Sequence, residues 1–144
     1  MNTASKDDLF SVKTVIKQLS REVTRLSQLK DWCQRITAEI DGLPHNTTFA
    51  RSAVENLTVQ IVDCQNTIDS LRVELANRRA ALVNMIDKEV TDNTQRAILI
   101  ERYCFDNYFA VIAATLHLSE SQVYYLHRHA LRTMGIKDRA QNKS

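Results

Sequence analysis

From Val54 to Met85 the chain places Val54, Leu57, Ile61, Cys64, Ile68, Leu71, Leu75, Arg78, Leu82 and Met85 three and four positions apart without a break. A helix turns every 3.6 residues, so this alternation draws one apolar stripe along its side, and only another helix buries such a stripe. Its partner lies upstream. Leu9, Val12, Ile16, Leu19, Val23 and Leu26 keep the same rhythm, and after one short step Leu29, Cys33, Ile36 and Ile40 resume it. Asp41-Gly42-Leu43-Pro44-His45-Asn46-Thr47-Thr48 separates the two runs. Gly42 suits the left-handed conformation that ends a helix, Pro44 blocks continuation, and Thr47 or Thr48 can cap the next helix. Other breakers are nearly absent: the 144 residues hold two glycines and one proline, which leaves little room for loops. The expectation is an all-α chain. Helices over about Lys6–Ile40 and Phe49–Glu89 fold back as a long antiparallel coiled-coil hairpin, roughly 50 Å in length.

A loop centred near residue 45 sets Cys33 opposite the region of Leu57, and Cys64 opposite that of Leu26. The two cysteines are then roughly 10 Å apart along the axis, too far for a disulfide. Three cysteines in unrelated contexts (Cys33, Cys64, Cys104) suggest neither a disulfide framework nor a zinc site, and they fit a reducing compartment. Arg78, alone in its seam, either fixes register or snorkels to solvent. Val15, Trp32, Val59, Val62 and Val73 lie off the seams and point to a second buried face, hence to a homodimer.

Composition changes at Thr91-Asp92-Asn93-Thr94, a run of cap formers. Six of the nine aromatic residues lie beyond it (Tyr103, Phe105, Tyr108, Phe109, Tyr124, Tyr125), and a small trihelical unit needs such bulk to fill its core. Two modules are therefore expected: residues 1–90 for oligomerisation or partner binding, and residues 91–144. Charge divides similarly. Residues 1–90 carry twelve basic and twelve acidic side chains, whereas Arg128 to Ser144 hold five basic and one acidic. Three short helices fit the second module, at about Thr94–Cys104, Asn107–Leu116 and Glu120–Met134. Between the last two lies His117-Leu118-Ser119, and Ser119 with Gln122 makes an S-x-x-Q capping box. Ile112-Ala113-Ala114 supplies small residues where helices cross closely, and Leu118 is buried in the turn. This is the grammar of a helix-turn-helix, whose second helix enters the major groove.

The segments Arg96-Ala97-Ile98-Leu99-Ile100-Glu101-Arg102-Tyr103, Val111-Ile112-Ala113-Ala114-Thr115-Leu116-His117-Leu118-Ser119 and Val123-Tyr124-Tyr125-Leu126-His127-Arg128-His129-Ala130-Leu131 resemble the region-4 helix-turn-helix of sigma factors. They are closer still to the ArpU/RinA-like group of small phage and prophage transcription regulators of Gram-positive bacteria, in which such a module follows a coiled coil. The resemblance covers about residues 95–135. It implies control of late phage genes in the cytoplasm of a bacterial host, with double-stranded DNA as ligand and host RNA polymerase as a further partner. It places Glu120, Ser121, Gln122, Tyr124, Tyr125, Arg128, His129 and Arg132 toward DNA, and His127 in the module core. Gln122 has the groups to pair bidentately with adenine, and Arg128 or Arg132 those to contact phosphate or guanine. Tyr125 can donate to a phosphate or pack on a thymine methyl. Of the adjacent tyrosines, helical spacing turns Tyr125 outward.

Several classes are set aside. The chain has no Gly-rich phosphate loop, no nucleophile elbow and no H-E-x-x-H, so no enzymatic activity, cofactor or small-molecule substrate is expected. Cys104, His127 and His129 match no zinc spacing. The longest uncharged stretch, Asn107 to Ser119, is thirteen residues, too short for a bilayer, and Met1 to Phe10 has no apolar signal region. The competing reading is a coiled-coil assembly or packaging adaptor resembling a small terminase, which binds protein rather than DNA. A third is a polymerase-binding decoy. DNA reading makes Gln122, Tyr125 and Arg128 matter more than the coiled-coil faces; a scaffold reverses that order.

Overall fold

The computed structural model describes residues 6–42 and 48–136, and among them every regular element is helical. Two long helices, α1 (Lys6–Asp41) and α2 (Thr48–Glu89), precede three short ones, α3 (Asn93–Leu99), α4 (Phe109–Leu116) and α5 (Glu120–Thr133). The turn-signal residues Leu43 to Thr47 lie outside the described residues. Gly42 does not take the left-handed conformation expected of it; its N–H stays bonded to the Ala38 carbonyl at 3.2 Å, in helical register. No helix among the described residues is long and apolar enough to cross a membrane.

The chain forms two compact units. One is Ile16–Glu74; the other joins the residues up to Val15 to those from Leu75 onward. In the first, α1 and α2 pack antiparallel around Leu29, Cys64 and Ile68, flanked by Leu19, Leu26, Leu57 and Ile61. Every expected seam residue of α2 is buried or half-buried. The α1 seam differs from expectation: Val23 is 46% exposed, and the half-buried neighbour is Glu22. The stripe keeps its 3–4 rhythm by running through Val15 and Glu22, so the short step falls at Val12–Val15 instead of Leu26–Leu29. The Glu22 carbonyl accepts from the Cys64 thiol at 3.2 Å, and Arg25 donates to Gln60 Oε1 at 3.5 Å. Cys64 thus meets the helical turn before Leu26. Burial, then the neighbouring Glu22, push its thiol above the ordinary range. All three cysteines are free. Of the residues expected to form a second face, Val15 is buried, whereas Trp32, Val59, Val62 and Val73 are exposed.

The second unit holds the ends of α1 and α2 together with the short helices. Arg78 turns inward and donates to the Ser11 carbonyl at 3.3 Å, a contact between the paired helices that helps to hold register. Both α3 and α4 pack on α5. One buried cluster of this unit is Ile98, Ile112, Ala113 and Val123, with Phe109, Leu116, Leu118 and Leu126 against it. Asp92 caps α3 by accepting from the Gln95 N–H at 2.9 Å. Arg96 donates to the Asp87 carbonyl in the last turn of α2 and to the Val90 carbonyl just beyond it. Guanidinium groups there satisfy acceptors that a helix end leaves open, so the α2–α3 junction is braced. After Leu99 the helix widens into a π turn, Ile100–Cys104. Arg79 holds this turn, donating to the Cys104 carbonyl at 2.7 Å while covering the Phe105 ring at 4.6 Å. Phe10 meets Tyr103 edge-on at 5.9 Å, and Lys13 faces Asp106 at 3.9 Å. Cys104 is fully buried, which pushes its thiol up to about 11.

Candidate nucleic-acid interface

Three residues join α4 to α5, and their geometry is set by backbone bonds. His117 takes a left-handed conformation, φ 59° and ψ 42°, a place usually given to glycine. The Leu118 N–H then reaches back to the Ala113 carbonyl at 2.9 Å, and the His117 N–H reaches the Ala114 carbonyl at 3.4 Å. These paired bonds are a Schellman motif, and Leu118 completes it by packing on the cluster that contains Ala113. One residue later Ser119 starts α5. Its hydroxyl accepts from the Gln122 N–H at 3.2 Å, and Gln122 Oε1 accepts from the Ser119 N–H at 3.0 Å. Both ends of the turn are thereby pinned, which fixes the direction in which α5 leaves.

α5 divides cleanly by face. Val123, His127, Ala130 and Leu131 point inward. Glu120, Ser121, Gln122, Tyr124, Tyr125, Arg128, His129 and Arg132, the eight residues expected to face DNA, are all exposed. They are not equivalent. Tyr124 lays its ring 4.7 Å from that of Phe109, whereas Tyr125, 61% exposed, stands clear of the core. Gln122 has two expected roles that compete: its carbonyl oxygen is committed to the Ser119 cap, as the S-x-x-Q pattern predicts, and bidentate pairing with adenine breaks that bond. His127 packs, 7% exposed, its Nε2 sharing a 2.6 Å hydrogen bond with the Tyr103 hydroxyl and its ring edge-on to Phe109 at 4.9 Å.

The second half of α5 gathers four of the eight. Tyr125, Arg128, His129 and Arg132 line one open notch of about 140 Å³. Its arginines stand apart from the other described arginines of this unit. Arg78, Arg79, Arg96 and Arg102 are each held by a carbonyl, and two of these also lie over an aromatic ring. Arg128 and Arg132 have no such partner among the described residues. The fourth member, His129, is oriented from outside α5: Gln95 Nε2 lies 3.1 Å from its Nδ1. An amide nitrogen only donates, so Nδ1 accepts and the ring proton sits on Nε2. Sequence reasoning missed Gln95. Its one signal is its spacing: a polar residue three before the core residue Ile98 lies on the packed face of α3, and Gln95 is 9% exposed.

No group of three His, Cys, Asp or Glu residues among the described residues is placed to hold a metal ion. A family model described as protein of unknown function (DUF1492) matches residues 48–135, from the start of α2 through the end of α5. No curated protein and no solved structure matches the chain.

Proposed function

The chain belongs to that family, and from this premise we propose that it is a sequence-specific DNA-binding regulator of transcription that lays α5 in the major groove. One observation carries the reading: a pinned three-residue turn delivers a capped helix whose eight candidate contact residues are all exposed, while its opposite face packs on α3 and α4. Short polar side chains at the start of such a helix reach base edges, and basic ones further along meet the backbone. The resemblance to ArpU/RinA-like phage regulators makes late phage genes the target, with host RNA polymerase as a partner and a homodimer as the binding form. The test is selection of bound sequences from a random duplex pool at about 150 mM salt, an ionic strength that suppresses non-specific binding. An enriched motif that Gln122→Ala/Arg128→Ala loses supports the reading. Enrichment that survives the double substitution, or none at all, refutes it.

The exposed apolar residues Trp32, Val59, Val62 and Val73 favour a second reading, an assembly adaptor whose hairpin binds protein. Substitution of these four by Ser or Gln then abolishes assembly, while the α5 substitutions leave it intact.

A further inference from the structure

The notch on the second half of α5 has a composition that base reading alone does not require. Two guanidinium groups without a protein partner among the described residues, a tyrosine hydroxyl and an imidazole share one concavity. No acidic side chain among the described residues lines it. All four groups donate hydrogen bonds, and two carry fixed positive charge. Base edges present mixed donors and acceptors, whereas a phosphate oxygen only accepts. The imidazole's orientation points the same way. Because Gln95 donates to Nδ1, His129 is held with its proton on Nε2, as a donor.

We infer that Tyr125, Arg128, His129 and Arg132 form a seat for one phosphate of a nucleic-acid backbone, and that Gln95 is a positioning residue which turns the His129 Nε2–H outward. This rests on the DNA-binding reading but divides its labour: the start of α5 discriminates sequence, and the seat supplies affinity that is blind to it. Arg128, used above as a control for binding, is therefore expected to act on all sequences alike.

Fluorescence anisotropy with a motif duplex and a scrambled duplex, each from 50 to 300 mM salt, tests the seat. Arg132→Ala should lower the slope of log K against log salt by about 0.9 and weaken both duplexes by the same factor. Arg132→Lys, which keeps the charge, should restore the slope. Gln95→Leu should weaken binding as His129→Ala does, and should add nothing in the His129→Ala background, with melting temperatures matched to wild type. The seat is overturned by an unchanged slope, by a loss confined to the motif duplex, or by additive Gln95 and His129 effects. Equal wild-type affinity for motif and scrambled duplexes, with the slope change intact, refutes the sequence reader and supports the seat. Should no duplex bind, the probe is pyrophosphate, followed by the ¹⁵N shift of His129 Nε2. A titration that Arg132→Ala abolishes then supports a free-phosphate seat, and a flat one overturns it.

Discussion

Replacing His117 by glycine should make the protein more stable, although it deletes a whole side chain. His117 is exposed and sits at φ 59°, so its ring contributes little packing while its Cβ crowds the following carbonyl. That crowding costs about 1–2 kcal/mol in an L-residue. Glycine removes it but loses more backbone freedom on folding, at about 0.5–1 kcal/mol. The balance favours His117→Gly by about 0.5–1 kcal/mol, which is about 2–4 °C in melting temperature for a chain of this size. Valine should reverse the sign, because a β-branched residue is poorly accommodated at positive φ; His117→Val is expected to lose about 1–2 kcal/mol. Urea unfolding followed by circular dichroism at 222 nm measures all three with a common slope. The order Gly, His, Val from most to least stable is the prediction. A His117→Gly protein less stable than wild type refutes the reasoning, since it means that the imidazole itself holds the turn.

The other end of the same turn gives a loss: Ser119→Ala should cost about 1 kcal/mol, the usual worth of a capping side chain, in the same urea experiment, and Gln122→Ala in that background should cost about 0.5–1.5 kcal/mol more, because Gln122 Oε1 still accepts from the backbone N–H at position 119. The α1 seam can be checked by truncation, with Leu29→Ala, at 1% exposed, costing about 2–5 kcal/mol and Val23→Ala, on the exposed flank, less than about 0.5 kcal/mol. Cys104 predicts a pH effect. Its folded pKa lies above the unfolded value of 9.0, at about 11, so the native state holds the proton more tightly and stability is lost as pH rises from 9 toward 11. Relative to Cys104→Ala, wild type should lose about 2 kcal/mol between pH 8.5 and 10.5; a constant difference refutes the burial argument.

The periodicity of apolar residues carried α1, α2 and α5 to within a residue or two of their ends, because each stripe is long and its termini have chemical markers. Ser119 and Gln122 mark one end of α5, and the capping box they form is the one the sequence specifies. The failures have a common cause. Val23 and Glu22 are neighbours, and α1 by itself cannot tell which of them faces α2; the partner's surface decides. Gly42 has the residue type for a left-handed helix end, yet among the described residues the conformation falls on Gly135 (φ 79°), just after α5, and on two non-glycines, Asp106 (φ 57°) and His117, where backbone closure demands it regardless of residue type. The π turn at Ile100–Cys104 reflects a shift of hydrogen bonds that no side-chain pattern announces. Gln95 and His129 are 34 residues apart, so their pairing exists only once α3 packs on α5.

Charge is where sequence and structure differ most in what they offer a polyanion. Arg79, Arg96 and Arg102 are engaged within the second unit on the Cys104, Val90 and Asn107 carbonyls, so the basic side chains available on α5 reduce to Arg128 and Arg132. The one phosphate that they seat gives a salt slope of about −0.9, or about a 3.5-fold loss of affinity for a fourfold rise in salt. That is weak electrostatic anchoring from α5, and a second copy strengthens it; Lys137, Arg139 and Lys143 lie outside the described residues. The slope itself reports whether this happens. On a duplex carrying one half-site, one chain contributes its own contacts; on a duplex carrying the inverted repeat, two chains contribute the same contacts each. The slope should therefore double between the two duplexes, whatever the number of contacts per chain. Equal slopes on half-site and full-site DNA would mean that one copy binds in both cases. The homodimer would then give way to an anchor supplied by another protein, with RNA polymerase the partner to add to the next titration.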